Sequence, residues 1–288
     1  MDTSRFDSRP APPVPRWGWW GVLIALALQI ASSFTVNAVL FQSGMPSMRR
    51  LYHLTGGWIV PNLVANAGVL CVVVGFGLFF LLRLDLRGLS IRGRDVRPAA
   101  VGILLFWLTI QLIVVAARLR AGLEIALAEE LRDPGIPAVI GEFLGQLFGN
   151  ALVEEIFFRS FLFTALWALF SRSTTPRRAI WQAALLSQAL FALMHLPNRV
   201  FVKDVGGMDL VVDQVRLFGM GLLFLACWRM SGNLLFVVGL HSLGNRPTMV
   251  VEGPGKPVWL GLFVTLMVGL GAWRWWKRRV GRGVVGGG

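Results

Sequence analysis

Ionisable side chains are concentrated in one stretch of an otherwise apolar chain. Glu142, Glu154, Glu155, Arg159, His195, Asp213, Arg216 and His241, with the polar Asn245 beside them, sit within apolar runs between residues 138 and 245, whereas most other runs have no ionisable group. A charged group at bilayer depth costs at least about 2.5–3.5 kcal/mol, so it marks function by default. In Glu154-Glu155-Ile156-Phe157-Phe158-Arg159, the arginine lies four residues after Glu155, on the same helical face. Those two neutralise each other. Glu154 points about 100° away and has no sequence-local partner. A carboxylate left alone in low dielectric is driven to take up a proton, which suits a general base. Glu155 and Arg159 are therefore assigned to structure, and Glu154 to chemistry.

His195 closes an apolar segment one turn after Phe191, and Pro197 stops the helix just beyond. The imidazole is thus expected to face a polar pocket. His241 and Asn245 are one turn apart and share a face. Both can donate hydrogen bonds to a developing oxyanion, and both can equally tie helices together. Asp213 and Arg216, three residues apart, read as a neutralised pair. Glu142 is placed at the cavity entrance without a role, and His53 in a solvated loop.

The elements that position these residues follow from composition. The apolar fraction is 55%, mean hydropathy is +0.65 and charged residues make up 15%, well below a soluble domain's share of about 25%. The expected fold is an all-α, polytopic membrane bundle of about eight transmembrane helices, since about 20 apolar residues cross the hydrocarbon layer. Spans are expected near 17–41, 58–83, 98–118, 138–170, 178–196, 209–230, 232–245 and 257–276. The seventh is short and stops before Pro247. The fourth, at about 50 Å, exceeds a core of about 30 Å and must tilt, break or begin outside it. Its Gly141, Gly145 and Gly149 form a ridge that admits a close helix. Residues 121–132 alternate apolar and acidic positions, as in an amphipathic surface helix.

Four regions result: a disordered cytoplasmic tail (1–16), N-terminal helices with the amphipathic helix (17–135), a catalytic core (136–250), and a last span with a basic tail (251–288). The first apolar segment lacks the features of a cleaved secretory signal and is expected to stay as a helix. The net charge of +13 lies in short clusters between apolar runs, which excludes a nucleic-acid surface and indicates topology determinants and lipid headgroup contacts. Lys and Arg divide 17 to 9 between alternate connecting segments, an asymmetry that puts both termini in the cytoplasm. Cys71 and Cys227 lie in apolar runs and read as packing residues.

Glu-Glu-x-x-x-Arg at 154–159, Phe-x-x-x-His at 191–195 and His-x-x-x-Asn at 241–245, in that order on successive helices, resemble the CAAX-protease and bacteriocin-processing (CPBP, or Abi) family of intramembrane proteases. The eukaryotic CAAX-processing endopeptidase belongs to that family. The resemblance spans roughly 138–250. It implies an endopeptidase acting on a membrane-associated protein or peptide. Glu154 and His195 would activate a water, His241 and Asn245 would stabilise the oxyanion, and Glu155 and Arg159 would hold the site in shape. Two versions stay open: zinc held by Glu154, His195 and His241, or a metal-free glutamate mechanism, which the lack of a His-Glu-x-x-His pair favours. Some relatives confer immunity or scaffold partners, so a non-catalytic membrane binding protein is the alternative. An ion transporter is the weakest reading. A bacterial inner-membrane location fits the chain's length; peptide leaders or bacteriocin-like precursors then suit better than prenylated proteins. Oligomeric state is open.

Overall fold

A computed structural model describes residues 16–283, with side chains to residue 274. The expected tail at 1–16 lies outside it apart from Arg16. The described residues are helical throughout except for loops and one isolated antiparallel bridge, Leu127 to Val251. In chain order the helices are α1 (Gly18–Leu40), α2 (Pro46–Leu54), α3 (Pro61–Leu81), α4 (Val96–Arg120), α5 (136–170), α6 (Pro176–Leu193), α7 (Gly207–Ser231), α8 (Leu234–Asn245) and α9 (Gly255–Gly283).

Six helices are long and apolar enough to cross a membrane: α1, α3, α4, α6 with its extension to Val202, α7 and α9. The two expected spans outside this set are α5 and α8. Helix α8 has 12 residues, about 18 Å at 1.5 Å per residue, so it covers little more than half of the hydrocarbon core. Helix α5 is the centre of the bundle. It runs unbroken through 35 residues, with π-type turns at Gly145–Asn150 and Glu155–Leu162 and right-handed helical dihedrals at every junction. Every residue from Glu155 to Leu162 is buried, the mark of a helix surrounded on all sides. Helices α3, α6 and α8 all pack on it. Peripheral helices show the reverse pattern: α4 buries Phe106, Ile110 and Val114 at four-residue steps and exposes Leu104, Leu105, Leu108 and Leu112.

The glycine ridge on α5 does what its spacing implies. A Cβ on Gly141 would lie 2.2 Å from the Gly57 carbonyl oxygen, and one on Gly145 would lie 2.8 Å from Val60. Backbone therefore meets backbone where α5 crosses the start of α3. The amphipathic helix expected over 121–132 is not formed. Gly122, at φ +67°, ends α4, and residues 126–128 pair with 250–252 through Ala128 N–H to Val250 O and Glu252 N–H to Ala126 O. Arg118 adds bonds to the Glu124 and Glu252 carbonyls. Pairing with a distant segment overrides the local helical period here. His53, expected in a loop, is exposed on the short helix α2.

The α5–α3 contact predicts that Gly141→Ala lowers the thermal midpoint in detergent, since overpacking costs about 1–3 kcal/mol. Gly269→Ala, where the added carbon meets nothing within 4 Å, should leave the midpoint unchanged. Equal midpoints for the two variants would rule out a tight crossing.

Candidate active site

Glu154, Glu155 and Arg159 come from the most buried part of α5. His195 follows the end of α6, where Met194 closes the helix, and His241 and Asn245 occupy the last turn and a half of α8. Glu154, His195, His241 and Asn245 all line one cavity of about 880 Å³. That is within the usual size of a ligand site. The side chains of Glu155 and Arg159 lie behind its wall and are wholly buried.

Arg159 Nε stands 3.3 Å from Glu155 Oε2, across one helical turn. The guanidinium also lies over the Phe191 ring, 4.0 Å from its centroid. Such a face attracts a desolvated cation. Glu155 is more than a counter-ion, however. Its other oxygen, Oε1, is 2.8 Å from Nδ1 of His241 on α8. The carboxylate assigned to structure alone thus also sets the position of a cavity histidine.

The rings of both histidines are fixed in the same way. His195 Nδ1 lies 2.8 Å from the Phe191 carbonyl, which only accepts, so Nδ1 carries the proton of that bond. His241 Nδ1 donates to Glu155. In the neutral ring each Nε2 is then a lone pair, and both face Glu154. His195 Nε2 is 3.7 Å from Glu154 Oε1, and His241 Nε2 is 3.7 Å from Glu154 Oε2. These gaps exceed a direct hydrogen bond. Aromatic rings hold the imidazoles: Phe191 meets His195 edge-on at 4.7 Å, and Phe224 stacks on His241 at 4.6 Å.

Asn245 stands at the mouth, where its Nδ2 donates to Gln146 Oε1 at 2.9 Å. It shares the cavity with Glu154 but has no bond to it among the described residues. Glu142 pairs with Arg246 at 2.6 Å, and Arg246 also reaches Glu130 at 3.1 Å. Asp213 pairs with Arg216 at 2.8 Å, as its spacing implied, and with Arg199 at 2.5 Å. Arg199 belongs to a segment read as an outer loop, yet it is buried and lines the cavity. Gln146, Phe224 and Arg199 are the site residues that motif reading missed, and Phe191 stood in its motif without a role. Gln146 had a signal: Glu142, Gln146, Asn150 and Glu154 recur every four residues, and all line the cavity.

Zinc is the group to test against this arrangement. Among the described residues, no group of three His, Cys, Asp or Glu side chains could hold a metal ion. Glu154 turns one oxygen to each histidine, at 3.7 Å in both cases. The side chains as arranged do not fit a zinc site.

The fold and site define a class: a polytopic helical membrane protein with a carboxylate and two histidines gathered in a cavity. Residues 136–246 match the family model of type II CAAX prenyl endopeptidase, Rce1-like. This bears out the resemblance carried by the three motifs. The match opens on the first residue of α5 and ends just after α8, so it contains the whole glutamate–histidine cluster. No curated protein and no solved structure matches the chain.

The buried pair generates a stability prediction. Arg159→Leu leaves the buried Glu155 carboxylate without its counter-ion, with only the His241 bond to hold it, at a cost of about 3–5 kcal/mol. Adding Glu155→Leu should recover much of that loss in thermal unfolding in detergent. A double variant as unstable as the sum of its single changes would mean that the two side chains do not interact.

Proposed function

We propose that this chain is an intramembrane endopeptidase that hydrolyses a peptide bond of a membrane-associated protein or peptide, without a metal. The observation that carries this reading is the position of Glu154 between two Nε2 atoms on the cavity wall. Each 3.7 Å separation is too long for a direct hydrogen bond, and a water in the cavity can bond to carboxylate and ring together from the side.

A water held by Glu154 Oε1 and His195 Nε2 attacks the scissile carbonyl carbon, and Glu154 takes the proton it releases. One C–O bond forms, and the carbonyl oxygen becomes an oxyanion. Asn245 has two Nδ2 hydrogens, one of which is engaged by Gln146, so the other is left to donate to that oxygen. His241 donates from Nε2 when its ring carries a second proton, and Glu155 at Nδ1 supports that imidazolium. As the C–N bond breaks, Glu154 returns its proton to the departing amine nitrogen. Arg159 keeps Glu155 in place, and Phe191 holds both His195 and Arg159.

The matched family is named for cutting prenylated CAAX proteins, which makes a prenylated peptide the first substrate to try. Peptide leaders are the next candidates. Counted over the eight expected spans, the excess of Lys and Arg in alternate connecting segments supports cytoplasmic termini.

With purified protein in liposomes, Glu154→Gln should cut the rate of cleavage by about 10²–10⁴-fold while unfolding at the parental temperature. Asn245→Ala should lower kcat by about 10²–10³-fold with little change in KM. Full activity in Glu154→Gln would end its assignment as the base. A protein that binds peptide but never cleaves it would instead be a membrane binding protein. Cleavage should also survive a strong zinc chelator; chelator-sensitive turnover restored by added zinc would reject the metal-free route.

A further inference from the structure

Besides the histidines and Glu154, the cavity is lined by uncharged amides. Gln29 and Asn37 come from α1, Asn62 and Asn66 from α3, and Gln146 and Asn150 from α5. Two of these helices lie outside the matched family segment. Amides are costly at bilayer depth, and the usual reason for them is to bind helices together. Some bonds here fit that reading: Asn37 receives Asn198 Nδ2 at 2.9 Å, and Asn66 Nδ2 reaches Asn62 Oδ1 on its own helix at 2.8 Å. Gln29 and Asn150 do not fit it. Gln29 is 5% exposed, and its carbonyl oxygen is buried with no hydrogen-bond partner. Asn150, half-buried one turn before Glu154, has no side-chain hydrogen bond among the described residues.

Spacing says what such a lining suits. The amides on α3 and on α5 are four residues apart, a rise of about 6 Å. Along one edge of an extended peptide, N–H and C=O groups recur every second residue, about 6.7 Å. An amide side chain both donates and accepts, so it answers either group. A peptide backbone in the bilayer needs such partners wherever it is not helical.

We propose that these amides form a groove that binds the backbone of the substrate in extended form and feeds it to Glu154, with little regard to side-chain identity. This rests on the peptidase reading above. Gln29 and Asn150 are the substrate-binding residues that it adds.

The test measures binding in Glu154→Gln protein in nanodiscs, so that hydrolysis is not needed. The probe is a fluorescein-labelled peptide with a prenylated cysteine, and a set in which each backbone amide in turn is N-methylated. Methylation at one or two positions should weaken binding about tenfold, the scale of one hydrogen bond. In Asn150→Leu, or in Gln29→Leu, the penalty at one of those positions should disappear while the others remain. Asn150→Leu carries the test by itself should Gln29→Leu fail to fold. An unchanged penalty profile in the variants, or no measurable binding of the unmethylated peptide, overturns the groove. Failure of Glu154-dependent cleavage with this coupling intact would overturn only the hydrolytic reading.

Discussion

A carboxylate and a guanidinium, both cut off from water, set the terms for the rest of this molecule. Neither Glu155 nor Arg159 exposes any side-chain surface. Removing one partner from such a pair leaves a charge that the interior cannot hold. The interior holds the two charges only because each has the other, and the apolar residues around them drive the enclosure: Ile156, Phe157, Phe158, Phe161 and Leu162 are all buried. Apolar on every side, α5 lies at the centre, and α3, α6 and α8 gather around it. The second oxygen of Glu155 then carries the same constraint to α8 by holding His241. Two adjacent glutamates are thus put to different uses. One is spent on the scaffold, and the other faces the cavity between two imidazoles.

The cavity exists because neighbouring elements stop short or come close. Helix α8 ends after 12 residues at Asn245, so its asparagine stands at the opening and its buried histidine one turn inside. Glycines on α5 bring the start of α3 within backbone contact, which places Asn62 and Asn66 beside the polar stripe that leads to Glu154. Motif-free helices thereby contribute about as much of the wall as the motif-bearing ones. In this light the N-terminal half is part of the site and not merely an anchor.

Some of this was legible from residue spacing alone, and the limits have physical causes. The Glu155–Arg159 pair, the glycine ridge and the short α8 each depend on contacts within one helix or one face, so local periodicity revealed them. The Glu155–His241 bond joins residues 86 apart, and nothing in either motif states which of two glutamates the ring will choose. The burial of Arg199 was hidden because its partner, Asp213, already had a local cation in Arg216. Residues 121–132 have a helical pattern, but tertiary pairing with 250–252 decides their shape. Six helices have the length and apolarity of a span, against about eight expected; α5 is enclosed by protein, and α8, only 12 residues long, is buried over most of its length. Neither needs lipid on its surface to explain its composition.

The central claim is that Glu154 removes a proton from water and does not itself attack the substrate. A single turnover in H₂¹⁸O, with enzyme in excess, tests this directly. Mass spectrometry of both partners should find one ¹⁸O in the newly formed carboxylate of the peptide and none in Glu154. Label in the Glu154 side chain, with an unlabelled product, would mean a covalent acyl intermediate and would contradict the account.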